Sequence, residues 1–317
     1  MSYLIKREIV RLAAAAAIAA LPILAGCNAQ RLKPVAADRG FSALGEPQAE
    51  LAYATAMPSA SAGESVARGD LAMARGDYER ALFEYLQALQ AGGANVDVLY
   101  KVGQIHLARG DKDRAEIAFS MALVEEPDHA GLRLELGVLR MHKRDYATAK
   151  RHLRKALEIV GENARARNAL GVMDDMAGNY DQAQAHYQAA IAVAADKSIS
   201  MNNLGYSHYL SGDLEKAEAS FRAALGVDPG NQRAWRNLGL VLARQARYAE
   251  ALEAFGKTGK EYEAYNDVGY IAMVAGHYDA AEHFFEEAIM LSPAYYALAG
   301  KNAQRLAVIR NSGAALQ

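Results

Sequence analysis

Residues 201–229 read MNNLGYSHYLSGDLEKAEASFRAALGVDP. Met201, Leu204, Tyr209 and Leu210 fall at helical spacing, so the first ten residues predict a helix with one apolar stripe. The triplet SGD then breaks the pattern, and Gly212 is suited to the left-handed backbone that closes a helix. Leu214, Ala217, Phe221 and Leu225 supply the stripe of a second helix, which Pro229 ends. A pair of helices this short cannot bury its own apolar faces, so the stretch requires neighbours of its own kind.

Those neighbours are present along the chain. Gly69, Gly103, Gly137, Gly171, Gly205 and Gly239 follow one another at intervals of 34 residues. Twelve residues after each glycine stands an alanine: Ala81, Ala115, Ala149, Ala183, Ala217 and Ala251. Four further on comes a large apolar side chain: Tyr85, Phe119, Leu153, Tyr187, Phe221 and Phe255. A seventh unit carries Gly269, Ala281, Phe285 and Pro293. Small residues at the glycine and alanine positions let the two helices of a unit approach closely. One interval departs from the period: Gly239 to Gly269 is 30 residues. The four missing residues amount to about one helical turn at 1.5 Å per residue. They are expected to be lost from the second helix of unit six, around FGKTGKEYEAYND (255–267), and to bend the stack or alter its groove there.

The period and the coupled glycine, alanine and aromatic positions resemble the tetratricopeptide repeat (TPR) over residues 62–295. The resemblance implies an all-α right-handed solenoid of seven helix-turn-helix units, with residues 296–317 as a C-terminal capping helix. It also implies that the first helix of each unit lines an inner groove. In that register position 5 holds Asn168, Asn202 and Asn266, and position 6 holds Asn203 and Asn237. Tyr206, Tyr209 and Tyr270 stand at positions 9 and 12, with Arg236 alongside. Amides carry donors and an acceptor, so an asparagine ladder can clasp the backbone of an extended peptide. Tyrosines add contact area at low entropic cost. Val66, Met73, Leu107, Leu134, Val138 and Met141 make the first three units more apolar, which predicts a two-part groove.

Residue patterns for catalysis are missing. GKT at Gly256–Thr258 lacks the earlier glycine of a phosphate loop, since Ala251 stands there, and no strand precedes it. RGD at Arg68, Arg75 and Arg109 reads, in the last two cases, as turn chemistry between paired helices. The eight histidines form no HExxH pair and no cluster with cysteine. His106 and His208 share one repeat position and are expected inside or at the groove edge. Met176, Met201 and Met273 read as core. There is no G-x-S-x-G elbow. We expect no enzyme activity, no cofactor, no metal and no small-molecule substrate.

The amino terminus carries different information. Lys6, Arg7 and Arg11 precede an apolar run from Leu12 to Gly26, the layout of a secretory signal. The run is shorter than the roughly 20 residues a spanning helix needs. The single cysteine of the chain, Cys27, ends Leu24-Ala25-Gly26-Cys27, which resembles the lipobox of bacterial lipoproteins. That resemblance implies cleavage after residue 26 and acylation of Cys27, and Asn28 behind it implies sorting to the outer membrane, on its periplasmic face. Residues 27–61, rich in Ala, Ser and Gly with Pro34, Pro47 and Pro58, then read as a flexible tether reaching about 30 Å as a random coil. Without residues 1–26 the chain is mildly acidic and shows no basic cluster, which argues against nucleic acid as a partner.

The segment AYNDVGYIAMVAGHYDAAEHFFEEAIMLSPAYYALAGKNAQRL (264–306) is similar to the TadD family of tight-adherence (Flp) pilus assembly lipoproteins. This similarity implies protein partners, a secretin or another pilus-assembly component, and membrane contact through the N-terminal lipid alone. The alternative is a periplasmic scaffold lipoprotein that docks cell-wall enzymes or outer-membrane assembly proteins.

Overall fold

A computed structural model describes residues 61–314 of the chain, apart from 93, 293 and 295. The signal segment, Cys27, the tether and Pro293 lie outside the described residues. The described residues form fifteen α-helices and no strand. Seven pairs follow in order: α1 (Ala62–Ala74) with α2 (Tyr78–Gly92), α3 (Val96–Ala108) with α4 (Lys112–Glu125), and α5 (Ala130–His142) with α6 (Tyr146–Val160). Then come α7 (Ala164–Met176) with α8 (Tyr180–Val193), α9 (Ser198–Ser211) with α10 (Leu214–Val227), α11 (Gln232–Arg244) with α12 (Tyr248–Gly256), and α13 (Glu261–Ala275) with α14 (Tyr278–Leu291). A last helix, α15 (Ala297–Ala314), packs on α13 and α14 as the cap. The architecture is the expected helix-hairpin solenoid fold.

The described residues divide into two compact units, one ending at Ala169 and the other beginning at Leu170. In the N-terminal unit Tyr85 packs with Ala81, Val98, Val102 and Ile105, so the second helix of one pair shares a core with the first helix of the next. Phe119 does the same with Leu132, Leu136 and Leu139. In the C-terminal unit one core gathers Phe221, Leu238, Leu242, Phe255 and Val268, and another gathers Met273, Phe285 and Leu306. Burying such side chains contributes about 1.5–3 kcal/mol each, and it explains why the units cohere by stacking.

The conserved spacing within the chain has a visible cause. A methyl group on Gly103 would stand 2.3 Å from a ring carbon of Phe119, and one on Gly205 would stand 2.7 Å from Phe221. The first helix therefore lies directly on the aromatic ring of its partner, and only a missing side chain permits the approach. Seven residues after each of these glycines the backbone turns left-handed. Gly76, Gly110, Gly178, Gly212 and Gly276 occupy that position with φ of 75–91°, whereas Arg144 and Ala246 hold it with φ of 60° and 59°. Asp111, Asp145 and Asp213 then cap the second helices by accepting backbone N–H groups three residues on.

The four-residue loss falls in α12, which has nine residues where the other second helices have 14 or 15. It ends at Gly256, Thr258 closes the turn with its hydroxyl donating to the Phe255 carbonyl at 3.0 Å, and α13 begins at Glu261. As a result α11 and α13 pack directly on one another. Two expectations need correction. Leu134, Val138 and Met141 are buried on α5 and offer no open apolar surface. Met176 is exposed, Met273 is core beside Phe285, and Met201 packs half-buried against the separate core of Phe221 and Leu238.

Candidate concave binding site

The C-terminal unit contains a cavity of about 720 Å³ lined by the first helices of successive pairs. From α9 it receives Asn202, Asn203, Tyr206 and Leu210, and from α11 Arg233, Arg236, Asn237 and Leu240. Helix α13 adds Asn266, Asp267, Tyr270 and Ile271, α15 adds Leu298 and Asn302, and α7 adds Val172, Asp175 and Met176. The face arises because residues three, four and seven apart on a helix share one side.

Seven of the nine residues singled out for a groove line this cavity together: Asn202, Asn203, Tyr206, Arg236, Asn237, Asn266 and Tyr270. Tyr209 does not line it but stacks on Tyr206, ring centroids 5.9 Å apart, with the Arg244 guanidinium 5.2 Å above its ring. Asn168 is buried on α7 in the N-terminal unit and is not among the residues that line the cavity.

The amides are not all open to a peptide. Asn237 Nδ2 donates to Asn202 Oδ1 at 3.0 Å, bridging α11 to α9. Asn302 Nδ2 donates to Asn266 Oδ1 at 2.9 Å, bridging α15 to α13. Asn202 and Asn266 are buried, so these amides hold consecutive first helices together and floor the cavity. A bridge of this kind satisfies two polar side chains that burial would otherwise penalise. The ladder is thus a fixed polar floor, and the side chains that rise from it are tyrosines, arginines and acids.

Two acids were not anticipated. Asp175 on α7 accepts the Tyr187 hydroxyl at 2.8 Å and the Ser207 hydroxyl at 2.6 Å. Burial pushes its carboxyl up to about 6 despite those bonds, and the Asp174 charge adds to the rise. Asp267 on α13 is also raised by burial, against the pull of Arg236, whose Nη2 lies 4.0 Å from its carboxylate. Burial pushes the Tyr206 phenol up to about 12, with contributions from Tyr209 and Asp175, and its buried hydroxyl has no hydrogen-bond partner. The register that places Tyr209 at position 12 places Asp175 there too, so the signal was available. Asn302 was legible only as part of a cap, because α15 lies beyond the last full period.

His208 and His106 are buried as expected, and burial lowers the pKa of both rings. Among the described residues no helix is long and apolar enough to cross a membrane, and no group of three His, Cys, Asp or Glu side chains is disposed to hold a metal.

Comparison with known proteins bears on the whole array. Family models described as tetratricopeptide repeat match residues 66–130, 177–231 and 211–258, residues 128–196, and residues 262–295. Among solved structures, a tetratricopeptide repeat protein from Parabacteroides merdae ATCC 43184 is similar at 15% identity, covering 77% of this chain and 98% of that one with a TM-score of 0.57. PilW, described as a widely conserved type IV pilus biogenesis factor, is similar at 18% identity over 67% of this chain and 99% of its own, TM-score 0.55. Pseudomonas aeruginosa pilF gives 20% identity, 67% and 96% coverage, and a TM-score of 0.53. No curated protein matches the sequence.

Proposed function

Because the chain belongs to the tetratricopeptide-repeat family, a fold of protein-interaction scaffolds, we propose that it is an assembly factor for a pilus secretion system. The concave cavity of the C-terminal unit holds an extended segment of the partner. The observation that carries this reading is the cavity's make-up. Its floor is a fixed row of bridged amides, and its sides present Tyr206, Tyr270, Leu240 and Ile271 with charged groups between them. Such a surface offers apolar contact for side chains and hydrogen bonds for backbone, the two needs of an extended peptide.

The pilus assignment draws on two supports: the fold likeness to PilW, a type IV pilus biogenesis factor, and the resemblance of residues 264–306 to the Flp assembly lipoproteins. In this reading the partner is a secretin or another pilus component, and acylated Cys27 holds the chain on the periplasmic face of the outer membrane. Cross-linking in intact cells that express the tagged chain, followed by mass spectrometry, tests it. A secretin or pilus subunit should be the main product, and its yield should fall when Tyr270→Ala removes a side of the cavity. Cell-wall enzymes or barrel-assembly proteins as the main product would overturn the pilus assignment.

A further inference from the structure

Within the cavity one carboxylate is held in place by hydroxyls and, among the described residues, is paired with no cation. Asp175 is fixed by Tyr187 of α8 and Ser207 of α9, so neither oxygen is free to turn away. The Asp174 charge repels its own. The same molecule shows what such a group looks like when it is complete. In the N-terminal unit Asp70 also accepts a tyrosine hydroxyl, from Tyr85 at 2.7 Å, and there Lys101 of the next first helix supplies an ammonium at 2.6 Å. Tyr85 and Tyr187 occupy the same repeat position. The two aspartates consequently diverge: Lys101 holds the Asp70 carboxyl below its ordinary range, while burial lifts that of Asp175.

A second group in the cavity is also incomplete. The Tyr206 hydroxyl is buried without a partner, a state that costs about 1–3 kcal/mol. The Asp175 charge reaches this phenol, so the two stand in one neighbourhood. Elsewhere in the cavity Arg236 of α11 faces Asp267 of α13 at 4.0 Å, and Arg233 of α11 also lines it.

Resting on the reading of this cavity as a peptide groove, we infer that Asp175 and Tyr206 form a subsite for a basic side chain, lysine or arginine, of the bound segment. The ammonium or guanidinium donates to the Asp175 carboxylate and to the Tyr206 hydroxyl oxygen, completing both groups as Lys101 completes Asp70. Val172 and Leu210 beside them receive the apolar stem of that side chain. The partner is therefore recognised by a basic residue set among apolar ones.

The test uses the purified full chain, immobilised, and decapeptide mixtures of apolar residues with one central position fixed as lysine, arginine, norleucine or glutamate. The lysine and arginine mixtures should be retained about tenfold better than the other two, the scale of one charge-assisted hydrogen-bonded pair. Asp175→Asn should bring lysine down to the norleucine level, with helical circular dichroism equal to the parent's to show that the variant is folded. Tyr206→Phe should weaken lysine retention severalfold. Equal retention of lysine and norleucine by the parent chain, or a lysine preference that survives Asp175→Asn, would overturn the inference and leave the groove standing. Retention of none of the mixtures would sink the groove and the subsite together.

Discussion

Ala246 shows how a single residue can run against its setting. It occupies, at φ 59°, the left-handed position that glycine fills in five of the seven helix pairs. A Cβ there costs about 1–2 kcal/mol, partly offset because glycine loses more entropy on folding. Ala246→Gly should therefore stabilise the chain by about 0.5–1 kcal/mol, read as a higher urea midpoint with unchanged slope. Asp175 carries a different penalty. Its carboxyl is raised in the folded state, so folding favours its protonated form. The cost is present in full above about pH 6, diminishes as pH falls, and vanishes below the ordinary carboxyl value near 4. The Asp175→Asn chain should melt above the parent at pH 8, by up to about 3 kcal/mol at 1.36 kcal/mol per pKa unit, and match it near pH 4. An equal difference at both pH values would place the effect in lost hydrogen bonds instead of charge.

At the scale of the helix, the amide bridges decide which segments hold fast. Asn302→Ala removes the donor that satisfies buried Asn266 and unties α15 from α13. Hydrogen exchange should quicken across α15 by about tenfold and leave α1 to α6 unchanged, since local opening follows local contacts. The helices themselves were legible in the sequence because glycine, alanine and the aromatic residue recur in register, and each has a packing duty that tolerates few substitutes. Even the shortened α12 could be located, since a broken interval is as visible as a kept one. The site was only partly legible. Register placed Asn202, Asn203, Asn237 and Asn266 on one face, yet it could not show that Asn202 would find Asn237, or Asn266 find Asn302, across to the next helix. Leu134, Val138 and Met141 were misread for the same reason: a position on the inner face does not specify what covers it. Register also puts Asp175 on that face, at the position of Tyr209, yet it does not show that Tyr187 and Ser207 would fix the carboxylate there.

For the whole molecule, the proposed function joins an interaction array to a membrane by one residue. Cys27→Ser should move the protein from the membrane pellet to the soluble fraction on cell fractionation, with its helical circular dichroism unchanged. Full retention in the membrane would remove the lipid anchor from the account. The shortened interval between Gly239 and Gly269 has a further consequence, and it concerns inheritance. Repeats multiply and disappear when recombination joins equivalent points of neighbouring copies. Across the first six glycines any loss of one full period rejoins like with like, so the front of the array is free to gain or shed members. A junction that spans α12 instead rejoins equivalent positions over 30 residues, and because residues four apart share a helix face the apolar stripe still meets its neighbour across a seam one turn shorter. A copy of the sixth pair would therefore carry its close seam with it, and each such copy would set one more first helix directly on the next, as α11 lies on α13.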